Sequence, residues 1–210
     1  MTTAATTGSV DLDEPELLHL ALYAMKADRN DEAMRLLKRT IHDFPGSAHA
    51  RYLLGAQHAQ IGLYDRAVAE MAEAVKLDPS LAAGHFQLGL LHLTAGRVGE
   101  AQSAWLPLDR LANDHPLRLF KSALLHLARD EFAQCIEGLK AGIAHNKLNQ
   151  PLNDDMRRLL ADVQKRYPHT DSTNQDGVST GTPSQVRIPV PTKHMLLSTY
   201  DKNPDDTATD

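Results

Sequence analysis

The chain has a single cysteine in 210 residues. Cys135 therefore has no partner for a disulfide within the chain, and a reducing compartment is the simple expectation. Aromatic residues are scarce, at 5%. No run approaches the roughly 18 consecutive apolar residues that a membrane span requires, so membrane insertion is not expected. The first ten residues, MTTAATTGSV, hold no Lys or Arg and no apolar run, and so do not read as a secretory signal. These absences together set the expectation of a cytoplasmic protein.

Positive charge is not in excess either. The formal net charge is -5. Residues 1–16 carry four acids (Asp11, Asp13, Glu14, Glu16) and no base, and residues 169–210 carry six acids and three bases. Taking these from the 27 acids and 22 bases of the whole chain leaves 17 acids and 19 bases for residues 17–168. A near-neutral body between acidic ends is not a nucleic-acid footprint, which needs a clustered basic face. Catalytic signatures are missing too. There is no nucleophile elbow, no phosphate-binding or dinucleotide glycine loop, no H-E-x-x-H and no paired-cysteine spacing. Carboxylates are scattered, and Cys135 sits in a small, apolar slot that suits a structural thiol better than a nucleophile. The expectation is a non-enzyme without cofactor or metal.

What the chain does have is a period. LLGAQHAQIG at 53–62 returns as QLGLLHLTAG at 87–96, with Gly55, His58 and Gly62 repeated as Gly89, His92 and Gly96. In the unit 48–81, apolar residues recur at three and four (Tyr52, Leu53, Ala56, Ala59), break at Ile61-Gly62, and resume from Tyr64 to Leu77. Asp78-Pro79 then stops the second helix, because proline cannot continue it and restricts the residue before it. Each unit is a helix, a tight turn, a helix and a stop.

This unit resembles the tetratricopeptide repeat. Leu54-Gly55 fill its Leu-Gly pair, His58 its Tyr slot, Ala67 its small slot, Met71 its aromatic slot and Pro79 its Pro slot, while Arg51 stands in place of Trp. The register runs on in steps of 34. Leu20-Ala21, Ala33, Leu37 and Pro45 match upstream. Leu88-Gly89, Ala101 and Trp105 match downstream, with Asn113 replacing the proline. A fourth copy carries Ala123, His126, Cys135 and Leu139 in the same slots. Four copies starting near 14, 48, 82 and 116 predict an all-α fold, and the resemblance implies a right-handed α-solenoid. Small residues are expected where the helices of a pair cross, since packed axes lie only about 8–10 Å apart. A pair cannot bury its apolar face alone, so the pairs must stack.

Pro107 falls inside the second helix of the third copy and should end it near Trp105 or Leu106. After the fourth copy, one more helix is expected from about Asn153 to Arg166. Asp154 and Asp155 would lie in its first turn and Lys165 and Arg166 in its last, as the helix dipole favours. Its stripe of Met156, Leu159, Leu160 and Val163 would cap the array. The organisation expected is a flexible N-terminus over 1–13, a solenoid over 14–168 and a disordered tail over 169–210. Inside that tail lies an apolar island, VRIPVPTKHMLLSTY, at 186–200. Its Val186, Ile188, Val190, Met195, Leu196, Leu197 and Tyr200 could form a docking segment, and the solenoid's own groove is one candidate partner.

Eleven histidines invite a metal site. His58, His92 and His126 occupy equivalent slots, however, and equivalent side chains of a stacked array point the same way, displaced by roughly 10 Å. Zinc needs ligands within about 2.1 Å of one centre. Packing between helices is the better reading.

In the tetratricopeptide repeat family the first helices line a concave groove. The slot after the family's Trp reads Leu18, Tyr52, Phe86, Phe120. The slot four further reads Leu22, Ala56, Leu90, Leu124, and three more give Met25, Ala59, Leu93, Leu127. The peptide-binding residues expected from this are Leu18, Leu22, Tyr52, Phe86, Leu90, Leu93, Phe120 and Leu124. The alternative is that part of the stripe packs against neighbouring repeats. Co-chaperones of the family grip a terminal carboxylate with Lys, Asn and Arg. Here Lys26 and Lys121 stand nearby without an Asn, which favours an amphipathic helix or an extended aliphatic peptide as ligand. The function expected is protein–protein interaction by an adaptor or scaffold. A chaperone of a secretion or assembly system, and a regulator masked by its own tail, are the alternatives.

Overall fold

A computed structural model describes residues 12–167. The expected tail and island, and all but the last two residues of the expected flexible N-terminus, lie outside the described residues. Among the described residues there are nine α-helices, one 3₁₀ turn and no strand. The helices are α1 (Glu14–Lys26), α2 (Asn30–Asp43), α3 (Ala48–Gln60), α4 (Tyr64–Leu77), α5 (Ala82–Thr94), α6 (Val98–Trp105), α7 (Pro116–Leu127), α8 (Phe132–His145) and α9 (Gln150–Arg166). The first helix of each pair begins at 14, 48, 82 and 116, as the period predicts. Packing is mainly between neighbours in sequence: each first helix lies on its own second helix, α2 meets α3, α4 meets α5, and α8 meets α9, while the third and fourth pairs join through α5 against α7. This is an all-α solenoid of four helix pairs with a terminal cap.

The turns inside the pairs share one geometry. The residue opening each second helix donates its N–H to a carbonyl five residues back: Arg29 to Ala24 (2.9 Å), Leu63 to His58 (2.8 Å), Arg97 to His92 (2.9 Å) and Glu131 to His126 (2.9 Å). Such a closure needs a left-handed residue just before it. Gly62 (φ 79°) and Gly96 (φ 75°) supply it in the middle repeats, and Asp28 (φ 59°) and Asp130 (φ 60°) in the outer ones.

The small slots are small because the helices touch there. A Cβ added at Gly55 would come within 2.8 Å of Met71 Cγ on α4. The third pair is tighter. Trp105 lies across α5 and donates its indole N–H to the Phe86 carbonyl at 2.9 Å. Pro107 acts as expected, ending α6 at Trp105 and passing the chain into a 3₁₀ turn, Leu106–Arg110, that tucks Leu108 into the core.

The cap departs from expectation at its start. It begins at Gln150 rather than Asn153. Asn149 caps it by accepting from Leu152 N–H at 2.9 Å, and Pro151 sits in the first turn, where a missing N–H is harmless. Contrary to expectation, Asp154 and Asp155 therefore fall beyond the first turn, where the helix dipole no longer favours them. Asp155 is instead buried and paired with Arg158 at 2.7 Å. The stripe of Met156, Leu159 and Val163 is buried as expected, in one cluster with residues of α5 to α8. The α8–α9 turn is fixed by a polar network. Asn146 donates to the Asn149 carbonyl and to Asn153 Oδ1, both at 2.9 Å, and Asn153 donates back to the Asn146 carbonyl at 2.8 Å.

Candidate functional site

The stripe expected to line a groove is buried. Leu18, Leu22, Tyr52, Phe86, Leu90, Leu93, Phe120 and Leu124 are all between 0% and 9% exposed. Leu18, Leu22 and Tyr52 share one core cluster with Met25 and Leu37, and Phe86, Leu90, Leu93, Phe120 and Leu124 share another with Trp105 and Leu139. As placed, these side chains are buried within the core clusters that join successive repeats.

The sides of a first helix can be assigned from its neighbours. On α3, Gly55 faces α4. Ala50, Leu53 and Leu54 share a cluster with Ala33 and Leu37 of the preceding pair. Ala56 and Ala59 share one with Leu88 and Leu91 of the following pair. At about 100° per residue, the arc left between Leu53 and Ala56 is only about 60° wide. This arc is the inner side of the solenoid. Its borders are Leu53 and Ala56 on α3, Gln87 and Leu90 on α5, and Lys121 and Leu124 on α7. All six are at most 7% exposed. They form a band that is apolar except for two groups. Gln87 Oε1 has no hydrogen-bond partner. Lys121 Nζ pairs with Asp109 at 2.6 Å and donates to the Trp105 carbonyl at 3.4 Å. Sequence reasoning missed Leu53, Gln87 and Lys121 as a set. The signal was available, since all three directly follow Tyr52, Phe86 and Phe120.

The three equivalent histidines do not converge, and their partners differ. Arg97 donates its Nε–H to His92 Nδ1 at 3.1 Å. His126 Nδ1 meets the Glu131 carboxylate. His58 Nδ1 is buried without a partner. Burial pushes the His58 pKa down, helped by Arg66 and Lys38 and opposed by Glu70. Burial and then Arg97 push His92 down. Burial also drives the Cys135 thiol up to about 12, which leaves it protonated. Among the described residues no group of three or more His, Cys, Asp or Glu could hold a metal ion, and no helix is long and apolar enough to cross a membrane.

Two cavities open elsewhere. One, of 410 Å³, lies among Lys38, Ile41, Leu54, His58, Arg66 and Glu70. The other, of 360 Å³, lies among Pro79, His85, Pro107, Leu108 and Arg110. Neither includes a residue of the predicted stripe.

Stacked helix pairs at a fixed period, with small residues at each crossing, define a helical repeat scaffold. The family follows from the comparison: residues 18–82 and 58–106 match the model of the tetratricopeptide repeat, so the stretch 18–106 is built of tetratricopeptide repeats. Among solved structures it is similar to MamA 41-end from Desulfovibrio magneticus RS-1, at 16% identity and a TM-score of 0.57, covering 75% of this chain and 87% of that one. It is also similar to the MamA RS-1 ArsTM double mutant, at 16% identity and a TM-score of 0.56, covering 75% of this chain and 86% of that one. At this identity the likeness is one of fold. No curated protein matches the sequence. A repeat array of this family supports a protein–protein interaction scaffold.

Proposed function

We propose that the protein is a peptide-binding module that holds an apolar or amphipathic segment against the inner side of α3, α5 and α7. The observation that supports this reading is the band itself. Leu53, Ala56, Leu90 and Leu124 make a continuous apolar strip, with one buried acceptor at Gln87 and one cation at Lys121 to set register. Apolar burial would supply the affinity and the two polar groups the orientation. Tyr52, Phe86 and Phe120 stand behind the strip and fix its shape. An adaptor and a chaperone of an assembly system would use the strip alike, differing only in where the bound segment comes from. One segment of suitable chemistry lies in the chain itself, at 186–200.

The test is a peptide-display selection against the full chain, and against the full chain with residues 186–200 scrambled. Selected peptides should bind the scrambled chain, and Gln87→Trp should weaken them about tenfold, or about 1.4 kcal/mol, at a temperature where circular dichroism shows both chains fully folded. Binding indifferent to Gln87→Trp would place the site elsewhere.

A further inference from the structure

We propose that residues 186–200 are the resident occupant of the inner strip, lying across α3, α5 and α7 until a partner displaces them. The proposal rests on the reading of that strip as a peptide site.

The first observation is that the strip is closed. Leu53, Leu90 and Leu124 are at 0% exposure, yet they border the one side of their helices that faces neither their own second helix nor a neighbouring pair. An apolar strip of this kind is either open to water or covered. The second observation is the unpartnered Gln87 Oε1 at its centre. An extended segment brings backbone N–H donors, here at alternate residues such as Ile188, Val190 and Thr192 because Pro189 and Pro191 have none, and a donor is what a lone buried acceptor lacks.

The third is supply. Outside the described residues, the sequence is polar except at 186–200, where apolar residues concentrate. Pro189 and Pro191 hold that stretch extended, at about 3.1 Å per residue. Alternate residues of an extended chain share a face, so Val186, Ile188 and Val190 can lie together on the strip. From Val186 to Leu196 such a segment spans about 31 Å. Three first helices about 10 Å apart need about 20 Å. The chain leaves the described fold after Tyr167, and the 18 residues before Val186 reach about 23 Å as a random coil and at most about 60 Å when extended. The segment can therefore return to the array it leaves.

Hydrogen exchange on the full chain tests the proposal, with Ile188→Asp/Val190→Asp/Leu196→Asp and Gln87→Trp as variants and a labelled synthetic peptide of residues 184–202 as probe. In the wild type, amides of 192–200 should exchange at least about tenfold slower than those of 170–180. Both variants should abolish that difference. The peptide should bind the triple variant saturably and the wild type more weakly. Equal exchange in both stretches, or protection that survives Gln87→Trp, overturns the proposal. If the island is unprotected while display-selected peptides still bind and respond to Gln87→Trp, the resident-tail proposal fails and the peptide site stands. If no peptide binds the triple variant, the strip is not a peptide site and both readings fall.

Discussion

Trp105 occupies the space that a side chain on Gly89 would need: a Cβ there would lie 2.1 Å from the indole Nε1. The corresponding contact at Gly55 is with Met71 Cγ at 2.8 Å, the middle of a flexible side chain. The indole cannot move aside without losing its hydrogen bond to the Phe86 carbonyl. Gly89→Ala should destabilise by about 3 kcal/mol or more, the upper range for overpacking, against a helix-propensity gain of about 1 kcal/mol. Gly55→Ala should cost clearly less than Gly89→Ala, because methionine can repack and the Ala67 carbonyl, at 3.2 Å from the added Cβ, needs to give only a few tenths of an ångström. Urea unfolding of both variants checks the ranking, and equal losses would contradict it.

The turn geometry predicts a gain. Asp130 holds φ at 60° in the position that glycine fills in the middle repeats. Left-handed backbone costs a residue with a Cβ about 1–2 kcal/mol, and glycine avoids most of this. Asp130→Gly should raise the urea midpoint, by about 0.5–1 kcal/mol after glycine's extra chain entropy. Gly96→Ala should lower it by a similar amount.

Three histidines make stability fall on acidification. His58, His92 and His115 have folded pKa values pushed below 6.5 by burial. The unfolded chain thus binds more protons than the native one between the lowered values and 6.5, and stability rises with pH through that window. Below it the loss levels off. The protein should melt at a lower temperature near pH 5.5 than near pH 7.5, and His92→Gln should flatten the trend in calorimetry. His92 accepts from Arg97 at Nδ1, so protonation at that atom also removes a hydrogen bond. A melting temperature independent of pH across this range would refute the account.

Cys135 should be inert while the chain is folded. It is fully buried and its thiol is driven up to about 12, whereas the thiolate is the reactive form. Alkylation in native buffer should be at least about a hundredfold slower than in urea, set by the protein's opening rather than by the thiol. Mass-spectrometric counting of the adduct measures it.

The period made the fold legible. Helix starts, the small residues at crossings, the glycines of the turns and the break at Pro107 all follow from spacing and local chemistry. The start of α9 was missed because the acids at Asp154 and Asp155 drew more weight than Pro151, the better sign of a first turn. The stripe of Tyr52, Phe86 and Phe120 falls on the first helices, as the spacing predicts, and is buried there. Spacing tells which residues share a face. It does not tell how closely successive first helices approach, and that distance sets how much of the face is exposed. Nor does equivalence fix chemistry: His92 accepts at Nδ1, while His126 turns the same atom to the Glu131 carboxylate.

The two ends of the array are unlike. Leu54 and Gln57 of α3 are buried, on the side of that helix turned to the pair before it. Their counterparts on α1, Leu20 and Tyr23, have no described pair before them and stand 41% and 62% exposed. At the other end, α9 and its asparagine network seal α8. For protein engineering the scaffold is a one-way template. A designed helix pair joined ahead of Glu14 would find an apolar landing site already in place. One inserted after His145 would have to displace a finished, hydrogen-bonded lid.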